Sequence, residues 1–275
     1  MIKILDVDKL FDEYISGYVY ANIGKIKPEE IEDKMPILYN EFGDKPQKEL
    51  DGLTPNTYYR SFSAKELLSC LKTHIEKNVP VSDFLCEALS DGDSEKEILN
   101  ELNGENDEQY TLYLMNILND KNSSIAIKRY LEFILWDYPE SIRELATELL
   151  YNYADLIKED ILSNFNDTDK EKKDCLIDIL SHCSDDDRVF EILLNAFIEN
   201  QDNIPLYAGY LGKYGDGRAL PFLKTAIENE KINYAEFTEL RFAIEALGGE
   251  CDVKRDFSQD KIYKKIKGLN NKTSN

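Results

Sequence analysis

One pattern is written twice between Ser184 and Glu250, and it limits the fold more than any other feature of the chain. The first copy is Asp186-Asp187-Arg188-Val189-Phe190, followed by Leu193, Ala196 and Phe197. The second is Asp216-Gly217-Arg218-Ala219-Leu220, followed by Leu223, Ala226 and Ile227. The acid, the arginine and each apolar position recur at one fixed offset. A shorter pattern also recurs, as Tyr210-Leu211-Gly212 and Ala246-Leu247-Gly248. Each unit reads as a turn, an amphipathic helix, a second turn and a second helix ending in glycine. Self-similarity at a period in the thirties of residues is the mark of a helical solenoid. A chain of 275 residues is long for one compact core but ordinary for stacked helical pairs, each burying its apolar face on the next. Hydrophobic residues at 42% exclude a disordered chain, and the scarcity of Pro and Gly argues against a sandwich or barrel.

The formal net charge of −21 argues against a nucleic-acid binder, because a phosphate backbone is held by basic surface. A strongly acidic surface repels nucleic acid and attracts basic partners. The acidity is uneven. Residues 84–253 hold 37 acids against 15 bases, whereas residues 254–275 hold 7 bases against 2 acids. The last segment, around Lys261-Ile262-Tyr263-Lys264-Lys265-Ile266-Lys267, is thus a basic tail on an acidic body. It is expected either to dock by charge on its own protein or to serve as an arm for an acidic partner. The five cysteines form no C-x-x-C, the first residues hold no apolar signal region, and no window is apolar enough to span a membrane. A reducing cytoplasm with free, mostly buried thiols is the expectation.

Residues 1–107 do not carry the repeat and read as a less regular helical cap. Leu10, Phe11, Tyr14, Ile15 and Tyr18 fall at helical spacing. Pro28-Glu29-Glu30 opens a second helix, with Pro36 inside it predicting a kink or a break. The stretch Glu49 to Asn56 is expected to be a loop pinned by Leu50 and Leu53. Ser63-Ala64-Lys65-Glu66 is a capping box. From Glu108 the helices become regular, and roughly five helical pairs fit before Gly249. The predicted organisation is 1–107 as cap, 108–250 as repeats and 251–275 as tail.

Asp216-Gly217-Arg218-Ala219-Leu220-Pro221-Phe222-Leu223, with Arg241-Phe242-Ala243-Ile244-Glu245-Ala246-Leu247-Gly248, resembles the HEAT repeat, in the short bacterial form also found in phycobilisome lyases. The first copy keeps Asp186 and Arg188 but lacks the proline. Clear resemblance covers about a quarter of the chain. It implies an all-α, right-handed α-α superhelix of antiparallel helix pairs, whose second helices line a concave face. Most such proteins are scaffolds and binding modules, and a few are enzymes. In physical terms the aspartate caps a helix, the arginine bridges neighbouring turns, and Gly212 and Gly248 are expected where a helix reverses.

Residues with chemistry are few. His74 is expected on a polar helix flank. Cys175 and His182 would make half a zinc site where four ligands are needed, and Asp185-Asp186-Asp187 lies at a helix start, where acids serve as caps. No G-x-S-x-G, phosphate-binding glycine loop or H-E-x-x-H is present. The basic groove of a HEAT-like DNA glycosylase is incompatible with this charge. No catalytic residue, metal or cofactor is therefore assigned. The 17 tyrosines are more informative. Tyr207, Tyr210 and Tyr214 share one short helix, and Phe242 faces away from Leu240, Ala243 and Leu247. With Glu239 and Glu245 they form the candidate binding surface, tyrosine beside acid being good contact chemistry. The alternative is that these rings fill the interfaces between repeats.

The sequence thus points to a non-catalytic module that binds another protein through the concave face. One rival is an acidic immunity or inhibitor protein that neutralises a basic, nuclease-like toxin. A second is a lyase-like enzyme or an enzyme-associated subunit. Nothing in the sequence fixes the oligomeric state.

Overall fold

The computed structural model describes residues 2–24 and 26–270. The protein is all-α, with 71% of it helical and no strand among the described residues. It divides into two compact units, Met1–Arg129 and Tyr130–Asn275. The boundary thus falls later than Glu108.

The first unit opens with α1 (Val7–Ala21), capped by the Asp6 carboxylate on the Lys9 amide, and α2 (Pro28–Gly43). Pro36 does not end α2, for the helix runs on to Gly43. Pro36 is exposed, so water can reach the carbonyl it leaves unpaired, while Leu38 and Phe42 beyond it are buried. Phe42 packs on Phe11 of α1, with ring centroids 5.4 Å apart. A short 3₁₀ turn and α3 (Pro55–Tyr58) follow. Leu50 is buried as expected, but Leu53 is exposed; the second anchor of this loop is Lys3, whose ammonium lies 2.6 Å from the Asp51 carboxylate.

Next come α4 (Ala64–Glu76), α5 (Asp83–Asp91), α6 (Glu95–Leu102) and α7 (Glu108–Asp120). The capping box at Ser63 and Glu66 is formed. His74 does not lie on a polar flank. It is fully buried, because the chain after α4 folds back over it and the Pro80 carbonyl meets Nδ1 at 2.8 Å.

The helix α8 (Ile127–Leu135) contains the boundary between the units. The second unit then continues with α9 (Glu140–Leu150), α10 (Ala154–Asn164), α11 (Lys170–Leu180), α12 (Asp187–Glu199), α13 (Ile204–Tyr214), α14 (Leu220–Glu228) and α15 (Tyr234–Ala246). α12 packs on α13 and α14 on α15, giving two first-and-second helix pairs. The second helices also pack in a row, α9 on α11, α11 on α13 and α13 on α15. Most of the repeated apolar positions face this core: Val189, Leu193, Ala196 and Phe197 in one copy, Ala219, Leu223 and Ile227 in the other.

The repeated acid and arginine have one job. Asp186 caps α12 by accepting from the Arg188 amide, and Arg188 folds back onto that carboxylate while gripping Glu159 of α10 at 2.6 and 3.0 Å. Arg218 repeats the arrangement. It holds Asp216, reaches Asp187 of α12 at 2.8 Å and lies over the Phe190 ring. Each arginine therefore ties its own turn to the preceding first helix, and the starts of α12 and α14 lie side by side. On exposed surface such pairs contribute little energy, but a bidentate fork fixes register.

Gly212 is not the reversal point. It lies within α13, where a Cβ would come 3.0 Å from the Cα of Ala243, so glycine there permits the close approach of α15. The turn after α13 uses Gly215 instead, at φ +86°, and Gly248 has the left-handed backbone expected of it.

The basic tail docks on its own unit less by charge than by rings and a cap. Arg255 donates to the carbonyls of Ile227 and Asn229 at the end of α14. Phe257 packs on Tyr234 and Phe237, and α16 (Lys261–Asn270) places Tyr263 on Tyr234 with centroids 4.9 Å apart. Residues 271–275 of the predicted tail lie outside the described residues.

Candidate functional site on the second-helix row

Along the row α9–α11–α13 the second unit assembles a ridge of aromatic and charged side chains. Asp174 and Asp178 stand one turn apart on α11. Tyr207 donates to Asp174 at 2.7 Å, and Tyr151, in the 3₁₀ turn after α9, donates to Asp178 at 2.8 Å. Tyr210 lies edge-on to Tyr207. His182 stacks on Tyr151 with centroids 4.0 Å apart. Lys213 completes the cluster, 3.1 Å from His182 Nε2 and 3.4 Å from Asp178. An ammonium can only donate, so Nε2 accepts and the neutral imidazole carries its proton on Nδ1.

The electrostatics agree with that reading. Burial first, then Lys213, holds the His182 imidazolium below its ordinary pKa. Burial, reinforced by the neighbouring carboxylates, pushes the phenols of Tyr151, Tyr207 and Tyr210 up. Tyr151, Tyr207, Asp174, Asp178, His182 and Lys213 bond to one another, and such a network fixes one arrangement of the helices that carry it.

For two of the tyrosines the burial favours the alternative, rings between repeats, over an open contact surface. Tyr207 and Tyr210 are 3% and 8% exposed, so their rings fill the interface between neighbouring second helices and are not open to a partner. Tyr214 is half-buried and acts structurally too: its hydroxyl accepts from the Asp186 amide at 2.7 Å and donates to the Asp186 carbonyl at 3.0 Å. The remaining candidates stand apart from these three. Phe242 is 51% exposed on α15, while Leu240, Ala243 and Ile244 around it are buried. The Arg241 guanidinium lies 5.5 Å from the Phe242 ring and 3.7 Å from the Glu245 carboxylate. Glu245 is exposed and Glu239 half-buried.

Asp174, Asp178, Tyr151 and Lys213 were not singled out from sequence. Two acids at helical spacing read as a solvated face; the signal for their role is the tyrosines Tyr151 and Tyr207, whose hydroxyls need acceptors once the rings are enclosed. Cys175 and His182 belong to no larger cluster of metal-ligating side chains among the described residues. His182 Nε2 is engaged by Lys213. Burial pushes the thiols of Cys70 and Cys183 up to about 11 and that of Cys86 up to about 12, so these groups are poor thiolates at neutral pH. No described helix is long and apolar enough to cross a membrane. No protein-family model matches the chain, and no curated protein matches it either.

Proposed function

We propose that this chain is a non-catalytic protein-binding module, built on HEAT-like repeats in its second unit, that engages a basic protein through the α15 face around Phe242. The observation that carries this reading is the exposure of Phe242 on a helix whose neighbouring apolar residues are buried. Arg241 braces the ring, and Glu245 and Glu239 supply charge on the same helix. An aromatic anchor rimmed by charges is the composition of a binding hot spot. The separate α9–α11–α13 ridge supports the module by tying those second helices to one another. Its ionisable groups are spent on one another, which favours binding over catalysis. A reducing compartment, such as the cytoplasm, suits the five free thiols.

The excess of 37 acids over 15 bases in residues 84–253 favours one special case, an inhibitor that captures a basic toxin by electrostatic steering. Affinity capture from the native cell with wild-type protein, Phe242→Ala and Glu239→Lys/Glu245→Lys tests the reading. Both variants are expected to lose a basic partner that the wild type retains, with unchanged helical spectra. A partner retained by both variants would refute this face as the contact.

A further inference from the structure

A groove of about 930 Å³ runs between the first helices α10 and α12, with α11 beneath it. Its apolar lining is Leu162 of α10, Phe165 just after it, Ile177 of α11, and Ile192 and Ala196 of α12. Along the α12 side stand Glu191, Asn195 and Glu199, three exposed residues spaced at successive turns and hence on one line of the helix. The cations of the groove are largely committed: Arg188 is gripped by Asp186 and Glu159, and Lys173 lies over the Phe165 ring, leaving Lys170 at the start of α11. The open edge along α12 is therefore an acidic rim above an apolar floor.

The same chain carries the complementary shape. On α16, Lys261, Lys264, Lys265 and Lys267 are exposed. Tyr263 is spent on Tyr234, but Ile262 and Ile266, one turn apart, are 38% and 42% exposed. A helix with an i, i+4 apolar pair flanked by lysines is the type that lies in an apolar groove with acidic edges. Its own groove is out of reach while it stays docked, because α16 is held on α15 through Tyr263 and through Asp260, which accepts from the Tyr234 amide.

We infer that the α10–α12 groove receives α16 of a second copy of this chain, with Ile262 and Ile266 on the apolar floor and the lysines along Glu191 and Glu199. This self-association goes beyond the proposed partner face, which lies on α15. One short helix in one groove is a small interface, so the association is weak and depends on concentration. Because it joins unlike surfaces, each copy offers one helix and one groove. It also weakens with salt, since the lysine–glutamate part is exposed and screened.

Sedimentation velocity of the full chain over a concentration series tests this. Wild type is expected to self-associate at low salt. Ile262→Glu/Ile266→Glu, which spoils the helix, and Glu191→Lys/Glu199→Lys, which reverses the rim, are each expected to weaken association by roughly tenfold or more. All four positions are exposed, and circular dichroism checks that both variants remain folded. The decisive arm is the mixture. The helix variant keeps an intact groove and the groove variant an intact helix, so the two together are expected to form a one-to-one complex that neither forms alone. Wild type that stays monomeric throughout, or a mixture with no complex, would overturn the proposal. So would a monomer that instead binds phosphatidylserine vesicles through Ile262 and Ile266, because α16 would then serve a membrane surface.

Discussion

At the scale of single residues, burial separates two aromatics that look alike in sequence. Tyr210 and Phe242 each stand on a second helix among acids. Tyr210 is enclosed between α11 and α13, and Phe242 is half in water. Tyr210→Ala is expected to cost about 3–5 kcal/mol in urea denaturation, as for other large core rings, and Phe242→Ala less than about 1 kcal/mol. An equal loss at both sites would contradict the division between ridge and contact face. Asp186 gives a second expectation. Its hydrogen bonds from the Arg188 side chain, outweighing desolvation and joined by the Arg188 amide and Lys158, hold its carboxyl well below the usual carboxylate range. A group depressed in the folded state stabilises the fold fully above its unfolded value, about 3.9, and loses that contribution as pH falls through the folded one. Asn keeps the cap but not the charge. Asp186→Asn is therefore expected to be less stable than wild type at pH 7, with the gap narrowing below about pH 4. A gap that widens on acidification would show that Asp186 is not held by cations. The caps were legible in sequence because a cap is local, as at Ser63, Asp186 and Asp216. The burial of His74 has no local signal, because the chain folded back over it supplies its surroundings, and the sequence leaves both places open for Tyr210 because its neighbours come from a distant helix.

At the scale of elements, the approach of α13 to α15 depends on Gly212. Gly212→Ala is expected to destabilise by about 1–3 kcal/mol, because its Cβ would press on the backbone of Ala243. Gly209→Ala, on the same helix with nothing within 4 Å of its Cβ, is expected to stabilise by about 0.5–1 kcal/mol through helix propensity. Thermal melts of the two variants should move in opposite directions; a shared direction would remove close packing as the reason for Gly212. The helix pairs from α12 to α15 were readable because the repeat writes the same apolar face twice. The Leu-Gly ending predicts a turn in both copies, yet only Gly248 turns, since a glycine that turns a chain and one that admits a neighbour look identical in sequence. Of the kink or break that Pro36 suggests, the break does not occur: proline marks a missing hydrogen bond, but buried Leu38 and Phe42 lie beyond it on the same helix.

At the scale of the whole chain, an all-α architecture followed from periodicity and composition, and the structure has it. The division into units did not follow, because regular helices begin near Glu108 while α7 packs on α4, α5 and α6. The tail was read by its charge, whereas Arg255 and the rings of Phe257 and Tyr263 do the docking; carbonyl capping by a distant arginine leaves no local pattern. The proposed function places a partner-binding face on α15. Its most direct test is photo-crosslinking in the native cell, with benzoyl-phenylalanine replacing Phe242 in one protein and Phe222 of α14, also exposed, in another. The expected result is a covalent adduct with a basic protein from position 242 and none from position 222. No adduct from 242, or the same adduct from both, would contradict the account.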